Sequence, residues 1–171
     1  MATYKIINPY PGWPGVTETG TYATSAGVQP PLAFGQRVAA YDSTFGEGMF
    51  VFVYGSNVSA GNLVQITASG YGVRVAGSGT ASAGPLGFAP AALSNTNVWG
   101  FVQVRGIFDS ATAAAAIANG VAFKMGGTAG AVASRNATNV TNQIDGMYNA
   151  SSNSASTGCS IMLWNPSYAG Y

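Results

Sequence analysis

The chain has 171 residues, six of them Lys or Arg and five Asp or Glu, so its charged fraction is 6% and its net charge is +1. An ordinary soluble domain carries about 25% charged residues. Binding to nucleic acid through its phosphates requires clustered basic side chains, and the six here are scattered singly, so this function is not expected. A length of 171 residues suits one domain. The net charge near zero and the hydrophobic content of 47% are unlike those of a disordered chain, so we expect this domain to fold.

Catalysis and metal binding lack their usual side chains. There is no His, which excludes Ser–His and Cys–His pairs and the common zinc sites. The five acids are Glu18, Asp42, Glu47, Asp109 and Asp145. A glycosidase-like site needs two carboxylates that face each other across a cleft, and only Asp42 and Glu47 are close in sequence. They lie in a glycine-containing connection between two apolar segments, which is typical of a turn. We therefore expect no enzyme activity, no cofactor and no metal site, with Asp42 capping a turn and Glu47 solvated or paired with Arg37.

Cys159 is the single cysteine, so the chain cannot form an internal disulfide. Its neighbours, Cys-Ser-Ile-Met-Leu-Trp, predict a small apolar strand residue. The first residues carry prolines where a signal peptide has its apolar run, and the apolar stretch 111–118 is too short to cross a bilayer. We therefore expect a protein made in a bacterial or similar cytoplasm, with no membrane partner.

Residues 1–34 are predicted to form an extended N-terminal arm, because they hold five of the eight prolines. Burial of Tyr4, Tyr10 and Trp13 would stabilise an ordered arm by about 11 to 19 kcal/mol. Fixing the backbone of residues 4–15 costs about 12 to 24 kcal/mol. Since these terms nearly cancel, we expect the arm to order only on its own domain or on a neighbouring subunit.

From Gly35 onward the pattern is one of short strands divided by turns. Val outnumbers Leu, as expected where β-branched residues fill a pleated surface. The apolar run 49–54 lies between two glycines and predicts a strand buried on both faces. Residues 62–67 and 71–76 predict a hairpin. Further strands are predicted at 98–108, 121–125, 131–134, 143–148 and 159–165, with a turn at 144–146 in Ile-Asp-Gly and a long surface loop at 149–158.

The strand predicted at 98–108 is the longest. Alternation places Val102 and Val104 on one face, and the residues expected on the other are Trp99, Phe101, Gln103, Arg105 and Ile107. Gly100 and Gly106 indicate bulges or close backbone approaches. We expect Arg105 to stack on an aromatic ring or to pair with an acid.

One short helix is predicted at 110–119, where an Ala-rich segment follows an N-cap at Asp109 or Ser110 and Gly120 lies just past its end. The regular spacing of strand and turn signals favours an antiparallel sandwich or barrel. The sequence therefore predicts an all-β fold, mainly an antiparallel sandwich or barrel, with one short helix. It divides into the extended arm at 1–34 and a single β-rich domain at 35–171.

Several segments, in a fixed order along the chain, carry a resemblance to known proteins. They are 34–42, 45–54, 60–64, 85–89, 98–107, 119–120, 144–146 and 163–166. The most specific are Phe-Gly-x-Gly-x-Phe at 45–50 and Trp-Gly-Phe-Val-Gln-Val-Arg-Gly at 99–106. In these places the chain resembles a group of tailed-bacteriophage virion proteins and is similar to their head decoration, or cement, proteins, which sit on the outside of assembled capsids. The resemblance excludes the arm, and it implies a β-rich fold, a non-enzymatic role and clustering of copies at capsid symmetry positions.

The expected function is that of a structural virion protein, which binds the outer surface of the assembled phage head and stabilises contacts between capsomers. Its expected partners are the major capsid protein and further copies of itself, as dimer or trimer clusters, because a nearly uncharged surface favours association. The arm is expected to reach neighbouring subunits. Its candidate interface residues are Tyr4, Ile6, Tyr10 and Trp13.

Two alternatives remain open. One is a host-recognition module that binds glycans through an exposed aromatic residue such as Tyr71. The other is a structural subunit of a tail or of a cellular surface layer.

Overall fold

The structure is a computed structural model that describes residues 3–23, 26–55, 57–67, 71–76, 84–95, 97–115, 117, 121–134, 143–150 and 159–169. Within these ranges the fold is all-β, and its twelve strands belong to one sheet. The strands are β1 (Lys5–Ile6), β2 (Gly20–Thr21), β3 (Arg37–Asp42), β4 (Gly46–Gly55), β5 (Leu63–Ile66), β6 (Gly72–Val75), β7 (Leu86–Phe88), β8 (Val98–Ala111), β9 (Ala122–Met125), β10 (Val132–Ser134), β11 (Gln143–Asn149) and β12 (Cys159–Ala169).

A closed ring of five strands forms the centre of the fold. β4 pairs with β6, β6 with β5, β5 with β7, β7 with β8, and β8 pairs back with β4. The β4–β6 pair is parallel and the other four are antiparallel. Buried valines from the ring strands, among them Val51, Val64 and Val102, form one apolar cluster. The predicted barrel is therefore confirmed, and the excess of Val over Leu reflects the narrow interior that β-branched side chains fill.

β8 continues beyond the ring and pairs with β12, which is followed in the sheet by β11, β9 and β10. This second part of the sheet packs on the outer faces of β5 and β7. Leu63 and Phe88 from the ring share a buried cluster with Phe123 and Leu163 from the second part. The ring of Phe88 also stacks on Phe108 in β8, with centroids 5.0 Å apart. The short strands β5 and β7 are therefore covered by apolar side chains on both faces.

The N-terminal arm packs on its own domain. β1 pairs with β3, and β2 pairs with β8. Tyr4, Val16 and Leu32 are buried in a cluster with aromatic residues of β4 and β8, among them Phe50 and Phe101. The arm thus covers the faces of β3, β4 and β8 that point away from the ring interior. Of the two supports expected for the arm, its own domain is the one present here.

The helix predicted at 110–119 is wrong over the described residues of that segment. β8 runs on to Ala111, which is paired with Cys159 of β12. Ala113 then forms a β-bridge with Val132. Ala111 and Ala113 are both buried, so alternate residues point into the core, as in a strand. Helix propensity is a weak preference, and here pairing with strands distant in sequence overrides it.

The turn predicted at 144–146 is also replaced by strand. These residues lie inside β11, where the register against β12 shifts between Asp145 and Met147. Gly146 has a φ of 76°, and a Cβ on it would collide with the carbonyl oxygen of Trp164. The segment is therefore a β-bulge, at which Gly permits both the left-handed conformation and the close approach.

The other predicted strands are confirmed with small shifts of their ends, and β5 and β6 form the predicted antiparallel pair. Residues 68–70, which connect that pair, and residues 151–158 of the predicted loop lie outside the described part of the chain. In the part that is described, no helix is long and apolar enough to span a membrane.

Candidate interaction surface

A bulge in β8 turns Arg105 away from the face that carries Gln103. Gln103 is paired with Phe50, whereas Arg105 is paired with Met49, so β8 advances two residues while β4 advances one. Gly106 follows with a φ of 94°, and a Cβ there would collide with the carbonyl oxygen of Glu47. The prediction that Arg105 and Ile107 share the face of Gln103 is therefore wrong. The predicted close approach at Gly106 is confirmed.

After the bulge, Arg105 belongs to a row of side chains that crosses four strands. Ala39 in β3 is paired with Met49 in β4, Met49 with Arg105 in β8, and Arg105 with Trp164 in β12. Directly paired residues project to the same face of a sheet. The guanidinium carbon of Arg105 lies 4.4 Å from the ring centre of Trp164. The predicted stacking of Arg105 on an aromatic ring is thus confirmed.

A second row runs beside the first. Ile107 in β8 is paired with Met162 in β12, Met162 with Tyr148 in β11, and Tyr148 with Ala122 in β9. Met162 precedes Trp164 by two residues and so lies on the same face. The two rows therefore form one continuous surface over six strands.

We call this surface the Trp164 face. Tyr41 also lies on it, because it follows Ala39 by two residues in β3. The principal members of the face are Tyr41, Met49, Arg105, Tyr148, Met162 and Trp164. Half of the eight large hydrophobic side chains exposed in the described residues lie on it, with Trp164 60% exposed and Tyr148 58% exposed. A contiguous exposed apolar patch of this kind is typical of an interaction site.

A small cavity indents the Trp164 face beside the Arg105–Trp164 stack. It has a volume of about 180 Å³ and is lined by residues that include Met49, Arg105 and Trp164. Its size suits one side chain of a partner, which is how anchor residues commonly bind at protein interfaces. The face therefore combines exposed rings with a place for an inserted residue.

The interface residues expected from the sequence lie elsewhere, on the arm. Tyr4 is buried, and Ile6 and Trp13 are partly buried against the same cluster, so all three contact their own domain. Tyr10 is 70% exposed, and its ring lies 5.3 Å from that of Trp13. Of the four candidates, Tyr10 is the one whose side chain is largely open to a partner.

Asp42 fastens the beginning of the arm to the domain. Its Oδ2 accepts a hydrogen bond of 2.7 Å from the Thr3 N–H, and its Oδ1 accepts bonds of 2.8 and 3.0 Å from the Thr44 and Phe45 N–H groups. These backbone donors lower the pKa of Asp42, and the Thr3 N–H has the largest effect. The prediction that Asp42 caps a turn is confirmed, and Glu47 is exposed to solvent.

Cys159 is fully buried in β12, as the sequence predicts for an apolar strand residue. Its thiol donates to the carbonyl oxygen of Ala111 at 3.4 Å. Burial raises the pKa of the thiol to about 11, so the reactive thiolate is scarce near neutral pH. Among the residues that the structure describes, no cluster of His, Cys, Asp or Glu could hold a metal ion.

Comparison with protein-family models, with curated proteins and with solved structures finds no match for the chain. The two most specific segments of the phage resemblance are parts of strands: residues 46–50 lie in β4, and residues 99–106 lie in β8. Phe50 and Phe101 in these segments are buried. The resembling segments thus contain both buried residues that build the sheet and exposed members of the Trp164 face, among them Arg105 and Trp164.

Proposed function

We propose that the protein is a structural component of a virus particle, a decoration or cement protein that binds the outside of the assembled phage head and stabilises contacts between capsomers. The proposal rests first on the resemblance over residues 34–166. The structural observation that carries it is the Trp164 face, an exposed aromatic surface in a chain with 6% charged residues.

The Trp164 face is suited to binding because its side chains project from a hydrogen-bonded sheet. Trp164, Tyr148 and Tyr41 project from paired strands, so their backbones are already ordered before a partner arrives. Association is opposed by the entropy lost when interface groups become ordered, and a preformed surface reduces that loss. Trp and Tyr are also enriched among the residues that dominate binding energies at interfaces.

The shortage of charge has a measurable consequence for such an interface. Attachment would depend on apolar burial and hydrogen bonds, which salt weakens little, since salt screens mainly exposed charges. Retention of the protein on particles should therefore change little between low and moderate salt. Release by moderate salt would contradict this form of attachment.

The arm has a smaller part in this proposal than the sequence alone suggests, because Tyr4 is buried in its own domain. Tyr10 remains available for a contact with a neighbouring subunit. Dimer or trimer clusters on the particle stay a prediction.

The proposal is tested with purified protein and particles from which it has been removed. Trp164→Ala and Tyr148→Ala should each reduce binding about tenfold or more, because truncation of an interface anchor commonly costs that much. Tyr10→Ala tests the arm separately. Val28→Thr is the matched control, since Val28 is an exposed apolar residue outside the Trp164 face.

Two outcomes would overturn the proposal. One is binding of the doubly substituted Trp164 and Tyr148 variant as strong as that of the Val28 control. The other is a map of the intact particle that places the chain on the tail, which would favour the alternative of a tail subunit.

A further inference from the structure

We infer that the protein also has a binding site for an acidic sugar, a pyranose that bears a carboxylate. The site is a cavity of about 560 Å³ where the five-stranded ring opens to solvent. Pockets for small ligands are commonly about 300 to 1,000 Å³ in volume. The residues on which the inference rests are Arg37, Val51, Tyr71, Val104, Asn165 and Ser167, all of which line the cavity.

The wall of this cavity is divided between apolar and polar groups. Its floor is made by ring residues, with Val51 from β4 and Val104 from β8. Its rim carries polar side chains from separate strands, Arg37 from β3 and both Asn165 and Ser167 from β12. A purely apolar ligand would leave this rim unused, whereas a sugar presents both apolar C–H faces and hydroxyl groups.

Tyr71 supplies an aromatic platform at the rim. Its side chain is 42% exposed, and its ring lies over Gly35, where a Cβ would collide with it. Contact with the bare backbone of Gly35 fixes one face of the ring. An amphipathic ring of this kind can pack on the C–H face of a pyranose while its hydroxyl remains hydrated.

The backbone at the rim is held in an uncommon conformation. Tyr71 has a φ of 56° and Asn165 a φ of 48°, and Gly35, which also lines the cavity, has a φ of 86°. Left-handed backbone in a non-glycine residue is unfavourable and is concentrated at ligand sites. Two such residues at one cavity are consistent with a rim shaped for binding.

Arg37 determines the charge of the ligand. It is the one charged side chain among the described residues that line the cavity. A guanidinium offers two parallel N–H donors that match the two oxygens of a carboxylate. The Asn165 amide can donate and accept hydrogen bonds, and so can the Ser167 hydroxyl, which suits the hydroxyl groups of a sugar.

The test uses the full chain and D-glucuronic acid as the probe, with D-glucose as the neutral counterpart. Binding is followed by calorimetry and by NMR shifts of the Gly35, Tyr71 and Ser167 amides. Glucuronic acid should bind at millimolar concentration and more tightly than glucose. Arg37→Gln should weaken the binding of glucuronic acid at least tenfold, because it removes a charge-assisted hydrogen bond, and should leave the binding of glucose nearly unchanged. Lys5→Gln is the matched loss of one positive charge outside the cavity.

Tyr71→Gly tests the platform, since Gly accepts the left-handed backbone and removes the ring. This substitution should weaken the binding of both sugars, and the melting temperature should show that the domain stays folded. Tyr71→Phe should retain binding.

Three results would overturn the inference. They are no binding of glucuronic acid at about 50 mM, equal loss with Arg37→Gln and Lys5→Gln, and tighter binding of an aliphatic acid such as hexanoate than of glucuronic acid. Each is measured on the isolated protein, so none of them depends on attachment to a particle.

Discussion

The hydroxyl of Tyr4 donates a hydrogen bond of 2.7 Å to the carbonyl oxygen of Ile107, 103 residues further along the chain. The side-chain amide of Gln103 donates to the same oxygen at 3.1 Å. Both bonds lie at the bulge of β8 that turns Arg105 toward Trp164. The buried base of the arm therefore supports the backbone from which the Trp164 face projects.

Substitution of Tyr4 should destabilise the whole domain and not the arm alone. Tyr4→Ala leaves a cavity beside Phe50 and should lower the free energy of unfolding by about 3 to 5 kcal/mol. Tyr4→Phe keeps the ring and removes the hydrogen bond, for a loss of about 1 kcal/mol. Denaturant unfolding measures both. Tyr10→Ala is the control, and a loss for Tyr4→Ala no larger than for this exposed residue would show that the arm does not support the core.

Acid should loosen the arm through Asp42. Because the pKa of Asp42 is lowered in the folded protein, ionised Asp42 stabilises the fold fully above its ordinary pKa of 3.8, and this contribution is lost as the pH falls below that value. Asp42→Asn should therefore be less stable at pH 7 and should show a smaller loss of stability on acidification. Thermal melts from pH 7 to pH 2.5 measure this, with Asp145→Asn as the control for an exposed carboxyl. Parallel pH curves for the wild type and Asp42→Asn would contradict the assignment.

The bulge in β8 should tolerate no side chain at Gly106. Gly106→Ala adds a Cβ against the carbonyl oxygen of Glu47 in a left-handed conformation, so we expect a loss of more than about 2 kcal/mol. A Cβ on Gly127 would meet no atom within 4 Å, and its φ is not in the left-handed region, so Gly127→Ala should be nearly neutral. Urea unfolding compares the two. Equal effects would mean that the bulge is not constrained as described.

Cys159 should be unreactive in the folded protein. It is fully exposed to thiol reagents only on unfolding, and its raised pKa, about 11, further lowers the thiolate population. Iodoacetamide at pH 8 should label the native protein at least a hundredfold more slowly than the protein in 6 M guanidinium. Fast labelling of the native state would show that β12 opens readily at its first residue.

The sequence predicts most strands because alternation and turn residues are local signals. It could not predict the parallel pairing of β4 with β6, since pairing between strands distant in sequence leaves no local pattern. The helix predicted at 110–119 fails for a related reason, because the partners of Ala111 and Ala113 are Cys159 and Val132. Local propensity is decisive only where such partners are absent.

Only part of the Trp164 face could be predicted from the sequence. Alternation in β12 already separates Ile161 and Leu163, which are buried, from Met162 and Trp164, which are exposed. The bulge that brings Arg105 onto the same face was signalled only by Gly106. The aromatic residues of the arm favoured an interface there, but the sequence does not distinguish a ring that packs in its own core, as that of Tyr4 does, from one that contacts a partner.

β8 pairs with β2, β4, β7 and β12, so its partners extend from residue 20 to residue 164. A nascent chain cannot complete this sheet until its last strand, which ends at Ala169, has left the ribosome. The sheet is therefore completed only after β12 has been synthesised. A chain cut short before β12 would lack Trp164, the ring on which Arg105 stacks, and would leave the edge of β8 unpaired beyond the five-stranded ring.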